Sequence, residues 1–343
     1  MRRLSAILIS FLLLAAVPTD ASGQKTDVIQ MPNGDRTTGE IKLLERGRLS
    51  YSVDNMSRLS INWSQVVLIS SAHFFNFELS NSKRYFGRIE EGEELGHMVI
   101  VSDTGRVYVR LKDVVRIEPL YSSFWGRMKG SSMDIGLDFT RANLQRLWNL
   151  QTKILYKTRK WSLTFDADSY VNLQEDRDPS NRNSASLTPQ RMLGKGYTAY
   201  SIVKAEANDE LNLELRATLV AGASRFLHRS NRSNLQTRLG LAFTEEKFGG
   251  SELTANGEGL VAADFSVFKF IVPKIDFKID LFVYPSISNW GRVRGNSNAS
   301  IQWEPITDFR IGLNGYLVFD NRPATETSSN LDYGVFSSVG VIL

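Results

Sequence analysis

Histidine and serine come closest to a catalytic arrangement in this chain. His228 lies within a few positions of Ser224 and Ser230, and a serine with a histidine supplies two of the three groups of a Ser-His-Asp hydrolase. No carboxylate is evidently paired with this histidine, and the chain has only three histidines. We therefore predict that the protein is not an enzyme, with a hydrolase as the remotest alternative.

The sequence offers no pattern typical of a cofactor site. The chain has no cysteine, which excludes disulfides, thiolate ligands, a cysteine nucleophile and a lipid-modified N-terminal cysteine. Histidines and aspartates do not recur at metal-ligand spacing. Gly194-Lys195-Gly196 does not join a predicted strand to a helix, as a phosphate-binding loop would. We expect neither a cofactor nor a metal.

The charge distribution argues against a nucleic-acid partner. The chain has 41 basic and 37 acidic residues and a net charge of +4. These basic residues are scattered, whereas a nucleic-acid-binding protein gathers them on one face.

The N-terminus has the pattern of a secretory signal peptide. Arg2 and Arg3 precede the uncharged run Leu4–Val17, and the small residues Ala21–Gly23 suit cleavage near position 23. A retained anchor is the alternative, but this run is shorter than the ~20 residues of a spanning helix. We find no other apolar run of ~18 residues, so we expect no transmembrane helix in the mature chain.

Residues 27–119 contain two copies of one pattern. Gly39 and Gly87, Val53 and Val101, Arg58 and Arg106, and Ile69 and Ile117 are each separated by 48 positions. Each copy, 27–70 and 75–119, has short alternating runs broken by turn residues such as Asn33-Gly34. This pattern predicts a small β-domain of two SH3-like or Sm-like repeats.

Aromatic residues in this first domain are expected to be structural. His73, Phe74 and Phe75 lie at the junction of the two copies, where a lone histidine is more often structural than a ligand. Trp63 and Phe77 are predicted to lie in the core. RNA binding would be indicated by a stripe of basic residues with aromatic residues between them, and we find none in this domain.

From about Ser131 onward, apolar and polar residues alternate in long runs. These runs last about ten to fourteen residues, whereas strands of soluble proteins average ~5–6 and tilted membrane-spanning strands need ~9–11. The pattern predicts an antiparallel transmembrane β-barrel of about 10–12 strands, with a soluble β-sandwich as the alternative. The clearest runs are Met133–Phe139, Trp161–Ala167, Leu211–Leu215, Ile275–Val283, Phe309–Leu313 and Tyr333–Leu343.

Loop lengths and aromatic positions suggest which end of the barrel faces the periplasm. Short links at 158–159, 273–274 and 305–306 predict periplasmic turns, and longer polar stretches at 174–190, 245–256, 289–295 and 320–330 predict extracellular loops. We count eleven strands against an expected even number and place the discrepancy within 190–232. Aromatic girdles at the two interfaces are predicted from Trp148, Tyr156, Trp161, Tyr197, Trp290, Trp303, Tyr316 and Tyr333.

Charged residues on the opposite parity are predicted to face the lumen. They carry both signs, so in a small barrel they would largely pair and fill the interior, which disfavours a wide porin. These predicted lumen-facing residues include Asp166, Asp168, Arg216, Asp276, Lys278, Asp280 and Arg310.

Two stretches carry a family resemblance. Asp27–Ile41, with Ile61–Trp63 and Val66–Ser70, is followed by Ser132–Asn143. This combination resembles the salt-induced outer-membrane proteins, an uncharacterised barrel family of Gram-negative bacteria defined by a domain of unknown function. The resemblance implies an outer-membrane barrel and supplies no catalytic residues. Members usually end in an aromatic residue, whereas this chain ends in Leu343.

Together these patterns predict an all-β protein: a signal peptide (1–23), a periplasmic β-domain (24–119), a linker (120–130) and an outer-membrane barrel (131–343). We expect a narrow channel or small-solute conduit. The alternatives are a non-conducting scaffold whose periplasmic domain binds an envelope protein or the cell wall, and, remotely, an outer-membrane hydrolase. Expected partners are outer-membrane lipid and the barrel-assembly machinery.

Overall fold

A computed structural model describes residues 25–54, 56, 58–140, 145–174, 177–209, 213–250, 252–322 and 330–341. The predicted signal peptide lies outside these residues. The described chain is all-β, as predicted, and forms two antiparallel sheets of nine and twelve strands.

The first sheet occupies Asp27–Pro119 and follows the order β4-β3-β2-β1-β5-β6-β7-β8, while β9 pairs with both β2 and β5. Because β9 joins two strands from the middle of this order, the sheet folds over on itself around one core. Its strands are β1 (Asp27–Gln30), β2 (Arg36–Glu45), β3 (Arg48–Ser52), β4 (Arg58–Asn62), β5 (Leu68–Leu79), β6 (Arg84–Glu91), β7 (His97–Ser102), β8 (Gly105–Arg110) and β9 (Val114–Pro119).

The core of this domain is formed by every second residue of its strands, the residues whose side chains point inward. Trp63 and Phe77 are buried, as predicted. The Trp63 indole Nε1 donates to the Leu111 carbonyl at 2.7 Å, which satisfies its one donor. Trp63 and Leu111 each begin a short 3-10 turn, 48 positions apart. The SH3-like or Sm-like assignment of each copy stays a prediction.

A one-turn helix, α1 (Phe124–Arg127), precedes the second sheet. In that sheet every strand pairs with its sequence neighbour. Its strands are β10 (Ser132–Thr140), β11 (Gln145–Lys157), β12 (Trp161–Gln174), β13 (Arg177–Gly194), β14 (Tyr197–Asn208), β15 (Leu213–Arg229), β16 (Ser233–Phe248), β17 (Thr254–Lys269), β18 (Lys274–Pro285), β19 (Val293–Ile306), β20 (Phe309–Asp320) and β21 (Leu331–Val341).

The sequence count of eleven strands was wrong by one, and the placement of the discrepancy within 190–232 was wrong as well. The predicted loop 174–190 is mostly strand β13, whose residues pair with β12 from Arg177 to Arg191. This strand was missed because residues 180–184 are polar on both faces, so the alternation disappears at one end. The twelve strands restore the even number expected of an outer-membrane barrel.

The second sheet is consistent with a β-barrel. Side chains from eight consecutive strands, β11 to β18, line a single cavity, which requires strong curvature. In the described part of the chain, β10 pairs only with β11 and β21 only with β20. No helix among the described residues is long and apolar enough to cross a membrane.

Candidate functional site

The inner face of the second sheet is here defined as the face that lines its cavities. Register places the even-numbered residues of β12, β16, β17 and β18 on this face. Neighbouring strands then bring opposite charges together: Arg238 lies 2.7 Å from Asp264, and Lys153 of β11 lies 3.9 Å from Asp166.

The predicted lumen-facing residues divide into groups along this face. Asp168 and Arg216 line one cavity of about 750 Å³, here called the upper cavity. Lys278 and Asp280 line a second one of about 730 Å³, here called the lower cavity. Asp276 contacts the first domain through Arg46 at 2.6 Å. Arg310, on β20, lies 3.5 Å from Glu304.

An apolar cluster lies between the two cavities. On β15 the lower cavity reaches Ser224 and the upper one reaches Arg216, with Val220 between them. Val220 packs with Ala242, Leu260 and Ala262, and the rings of Tyr200, Phe282 and Tyr284 border the group. Apolar side chains thus interrupt the polar inner wall halfway along it.

The first domain forms the floor of the lower cavity. Glu45, Glu78, Arg84, Arg116 and Glu118 line this cavity together with residues of β11–β18. With Arg46, which also lines the cavity, the floor brings three acidic and three basic side chains of one domain against the inner wall of the other.

Three ion pairs join the two domains at this floor. Glu118 accepts from Lys157 Nζ at 2.7 Å, and Arg46 Nη2 donates to Asp276 at 2.6 Å. Glu78 pairs with Arg229 of β15. These contacts reach β11, β15 and β18, so they span most of the curved sheet rather than one strand of it.

Burial and neighbouring charge shift the titration of the floor residues. Burial alone would raise the pKa of Glu118, but the charges of Arg116 and Lys157 outweigh it and hold that pKa below its ordinary value. Burial, together with the charges of Arg229 and Arg116, lowers the pKa of Arg84 to about 10. These groups remain charged near neutral pH.

The turns of the two domains also fit closely together. Gly47, in the β2–β3 turn, has φ +70°, and a Cβ there would collide with the carbonyl oxygen of Asn231. The Asn231 amide donates to the carbonyl oxygen of Val114 at 2.8 Å. Arg48 stacks its guanidinium 4.5 Å from the Phe270 ring. The first domain therefore contacts the sheet at the end with the short turns.

The outer face of the second sheet has a charge-free band. On β16 the outward residues from Leu235 to Phe243 are uncharged, and on β18 the same holds from Ile275 to Val283. Across the described strands, outward charges occur only near the strand ends. At the short-turn end they are Arg191, Arg225 and Lys269, and at the other end Arg146, Glu214, Glu245 and Lys247.

Most of the predicted girdle residues border this band, but Tyr316 and Trp290 do not, and Trp290 lies in the loop between β18 and β19. Trp161 and Tyr197 face outward at the short-turn end and are 49% and 41% exposed. Tyr316, predicted for a girdle, instead lies on the inner face, where it stacks on Phe336 at 6.2 Å.

In the described part of the chain, the predicted candidates His228 and Ser224 do not come together. His228 Nε2 lies 3.0 Å from Ser233 Oγ, while Ser224 lies on the inner face. His73 Nδ1 lies 2.9 Å from Asp27, whose buried carboxylate also accepts from Ser71 and from the Ile41 backbone N–H. The buried carboxylate thereby ties three segments of the first domain together.

The floor residues Glu78 and Glu118 were missed by sequence reasoning. A lone acidic residue in an alternating run has the pattern of a solvent-exposed position, and the partner of Glu78 is 151 positions away. The 48-position repeat gives no pairing across the two domains.

The sequence profile of a family described as a protein of unknown function, DUF481, matches residues 133–334. This match begins in β10 and ends in β21. Its description does not mention salt induction, so that part of the resemblance stays a prediction. None of the curated proteins compared with the chain matches it. Because the match covers more than half of the 343 residues, the chain belongs to the DUF481 family.

Proposed function

We propose that the protein is an outer-membrane β-barrel that forms a narrow conduit for small polar solutes, with its periplasmic domain as a plug. The observation that carries this proposal is the ion-paired floor that the first domain provides under the lower cavity. A domain that merely hung from a linker would not require matched charges on β11, β15 and β18.

The charge-free outer band supports the membrane location. Nine residues of β16, Leu235–Phe243, extend over about 27 Å at ~3.3 Å per residue. At a strand tilt of about 40° this corresponds to about 20 Å of height, close to the ~25 Å apolar band of outer-membrane barrels.

Closure of the barrel requires β10 to pair with β21. An even number of strands makes these two antiparallel, as in every other pair of the sheet. Each of the two strands also has one face on the inside, with Asp134 of β10 and Ser338 of β21 on it. A closed barrel would satisfy the backbone groups of both edges, which lipid cannot do.

The inner wall favours small polar solutes. Charges of both signs occur along it and several are paired, as in Arg238 with Asp264 and Arg216 with Glu206 at 2.7 Å each, so the interior has no strong field of one sign. The apolar cluster around Val220 and Leu260 interrupts the polar path between the two cavities. A solute would cross this cluster and then require the plug to move.

A reversible tether tests the plug directly. Ser82 of the first domain lies against Gly196 in the β13–β14 turn, with the Ser82 Cβ 3.1 Å from an ideal Cβ at Gly196. A small shift brings this pair within the ~3.5–4.5 Å range of disulfides. The chain has no native cysteine, so Ser82→Cys with Gly196→Cys gives one possible bond.

The measurement is single-channel conductance of residues 24–343 in a planar bilayer. We expect discrete steps from the unmodified protein, suppression of these steps in the oxidised double variant and their return on reduction. Conductance steps that persist in the oxidised double variant would contradict the role of the first domain as a plug. A folded protein without conductance would support the scaffold alternative.

A further inference from the structure

Two arginines on the outer face lie over aromatic rings at the short-turn end. The Arg191 guanidinium lies 5.3 Å from the Trp161 ring, and the Arg225 guanidinium lies 4.6 Å from the Tyr197 ring. Arg225 Nη1 also donates to the Tyr197 hydroxyl at 2.9 Å. Register makes both pairs direct cross-strand neighbours, Trp161 with Arg191 and Tyr197 with Arg225.

These arginines lack carboxylate partners. Among the ion pairs of the described residues, none includes Arg191, Arg225 or the nearby outward Lys269. The opposite end of the sheet differs, because Lys247 there pairs with Glu214 at 2.5 Å. The short-turn end therefore has an outward row with basic side chains only.

The linker adds aromatic surface at the same height. Phe124 and Trp125 of α1 are 58% and 47% exposed, and the Phe124 ring lies 5.6 Å from the ring of Tyr156. Tyr156 faces outward near the end of β11, and its hydroxyl accepts from Arg127 at 3.0 Å. Aromatic rings of this kind occupy the boundary between hydrocarbon and headgroups.

We infer that Trp161, Arg191, Tyr197, Arg225 and Lys269, here called the basic belt, bind headgroup phosphates of anionic phospholipids in the periplasmic leaflet. This inference rests on the proposed membrane location. Rings at the interface hold the guanidiniums at headgroup height, where planar N–H donors match phosphate oxygens.

The position of the belt identifies the leaflet. It lies at the end contacted by the first domain, which the proposal places in the periplasm, and the leaflet on that side is built of phospholipid. Each basic residue close to an anionic surface strengthens binding by about fivefold. Two arginines together therefore correspond to a preference of roughly 25-fold for anionic over zwitterionic lipid.

The test compares Arg191→Gln/Arg225→Gln with the unmodified chain, residues 24–343. Lys247→Gln is the matched control, because it removes an outward basic residue at the opposite end. Each protein is reconstituted into phosphatidylcholine vesicles with a minority of phosphatidylglycerol. Lipid retained after mild detergent extraction is then counted by native mass spectrometry.

We expect the unmodified chain and Lys247→Gln to retain phosphatidylglycerol preferentially, and the double variant to lose roughly 25-fold of that preference. The preference should also collapse near 1 M salt, where the screening length is about 3 Å, and this readout needs no variant. Equal retention by all three proteins, or retention that does not depend on salt, would contradict lipid binding by the basic belt and leave the membrane location unaffected. Failure of the unmodified chain to enter the vesicles would overturn the membrane location as well.

Discussion

Glu78 of β5 and Arg229 of β15 form an ion pair between two domains, 151 positions apart in the chain. Their side chains are only 5% and 12% exposed. The same Glu78 carboxylate also contacts Arg84. Removing Arg229 leaves this buried carboxylate with one basic partner instead of two and breaks the charged contact between the domains. The contact is therefore a sensitive point in the docking of the first domain.

Arg229→Gln is expected to release the first domain more often. Glu78 keeps Arg84 in this variant, so the loss is one hydrogen bond to a charged group, about 2 kcal/mol, which corresponds to a roughly 30-fold larger undocked population. The measurement is the rate of trypsin cleavage in the linker, residues 120–130. Arg106→Gln serves as the control, because Arg106 pairs with Glu90 at an exposed site, 59% and 48%, where the cost is below about 1 kcal/mol. Equal rates for the two variants would show that the pair does not hold the domain.

Gly47→Ala should weaken docking through collision as well as backbone strain. Both Gly47 and Gly34 have positive φ, +70° and +91°, but a Cβ at Gly47 meets the Asn231 carbonyl, whereas one at Gly34 meets nothing within 4 Å. Gly34→Ala therefore reports the strain alone, of order 1 kcal/mol. Trypsin cleavage in the linker should accelerate for Gly47→Ala and stay near the unmodified rate for Gly34→Ala. A similar acceleration in both variants would argue against a close contact between the turns.

Docking should weaken in acid because of Glu118. Despite burial, Arg116 and Lys157 hold its pKa below the ordinary value of 4.5. Arg116 stays beside Glu118 after undocking, so docking favours the charged form through Lys157 of the other domain. The contribution of Glu118 is present above about pH 4.5 and is lost as the pH falls through the lower folded pKa. The accessibility of the linker, measured by pH-jump hydrogen exchange, should rise in that range.

Two variants separate Glu118 from general acid effects. Glu118→Gln should be undocked more often at neutral pH and should respond less to acid, because its side chain cannot titrate. Glu94→Gln, with an 83% exposed carboxylate, should behave as the unmodified chain does. An acid response unchanged by Glu118→Gln would assign the effect to other carboxylates.

Strand content could be predicted wherever one face of a strand is apolar and the other is polar. Ile275–Val283 alternates without a break because its outward side chains all lie in the charge-free band. Strand β13 was missed because Asn181 and Asn183 lie beyond that band on the outer face. Alternation reports the environment of a strand, and it disappears where both faces are polar.

The docking floor could not be predicted, for a different reason. Arg229, Lys157 and Asp276 are each near a strand end, a common position for solvated charges. Their partners Glu78, Glu118 and Arg46 come from a separate domain. Only the three-dimensional placement of the two sheets brings them together. The alternation of residue types along a strand carries no information about that placement.

Leu241→Arg tests whether the charge-free band contacts lipid. Leu241 is 63% exposed on the outer face at mid-height of β16, where an arginine in a bilayer would cost ~2–4 kcal/mol. Leu95→Arg is the matched control, since Leu95 is 66% exposed in the first domain. Folding into lipid vesicles is measured by heat-modifiable gel migration and by urea titration. Only Leu241→Arg should fail to fold, or should unfold at a lower urea concentration. A band that faces water would tolerate both changes within about 0.5 kcal/mol.

Cysteine pairs can establish whether β10 and β21 close the barrel. Residues on paired strands share a face, so outward Ile135 of β10 should approach outward positions of β21 such as Val335, Ser337 and Val339. It should not approach the inward Phe336 or Ser338. Because the chain has no native cysteine, each double variant can form one intramolecular disulfide.

The parity of the cross-links decides the outcome. In vesicles, a closed barrel should give oxidised monomer for one or two odd-numbered partners of Ile135→Cys and none for Phe336→Cys or Ser338→Cys. Disulfides need Cβ atoms within about 4.5 Å, so the reactive partner also fixes the register across the seam. Disulfide-linked dimers would indicate instead that the two edges pair between copies. Absence of any cross-link in a membrane-inserted protein would contradict closure, because the unpaired backbone groups of two lipid-facing edges would each cost several kcal/mol.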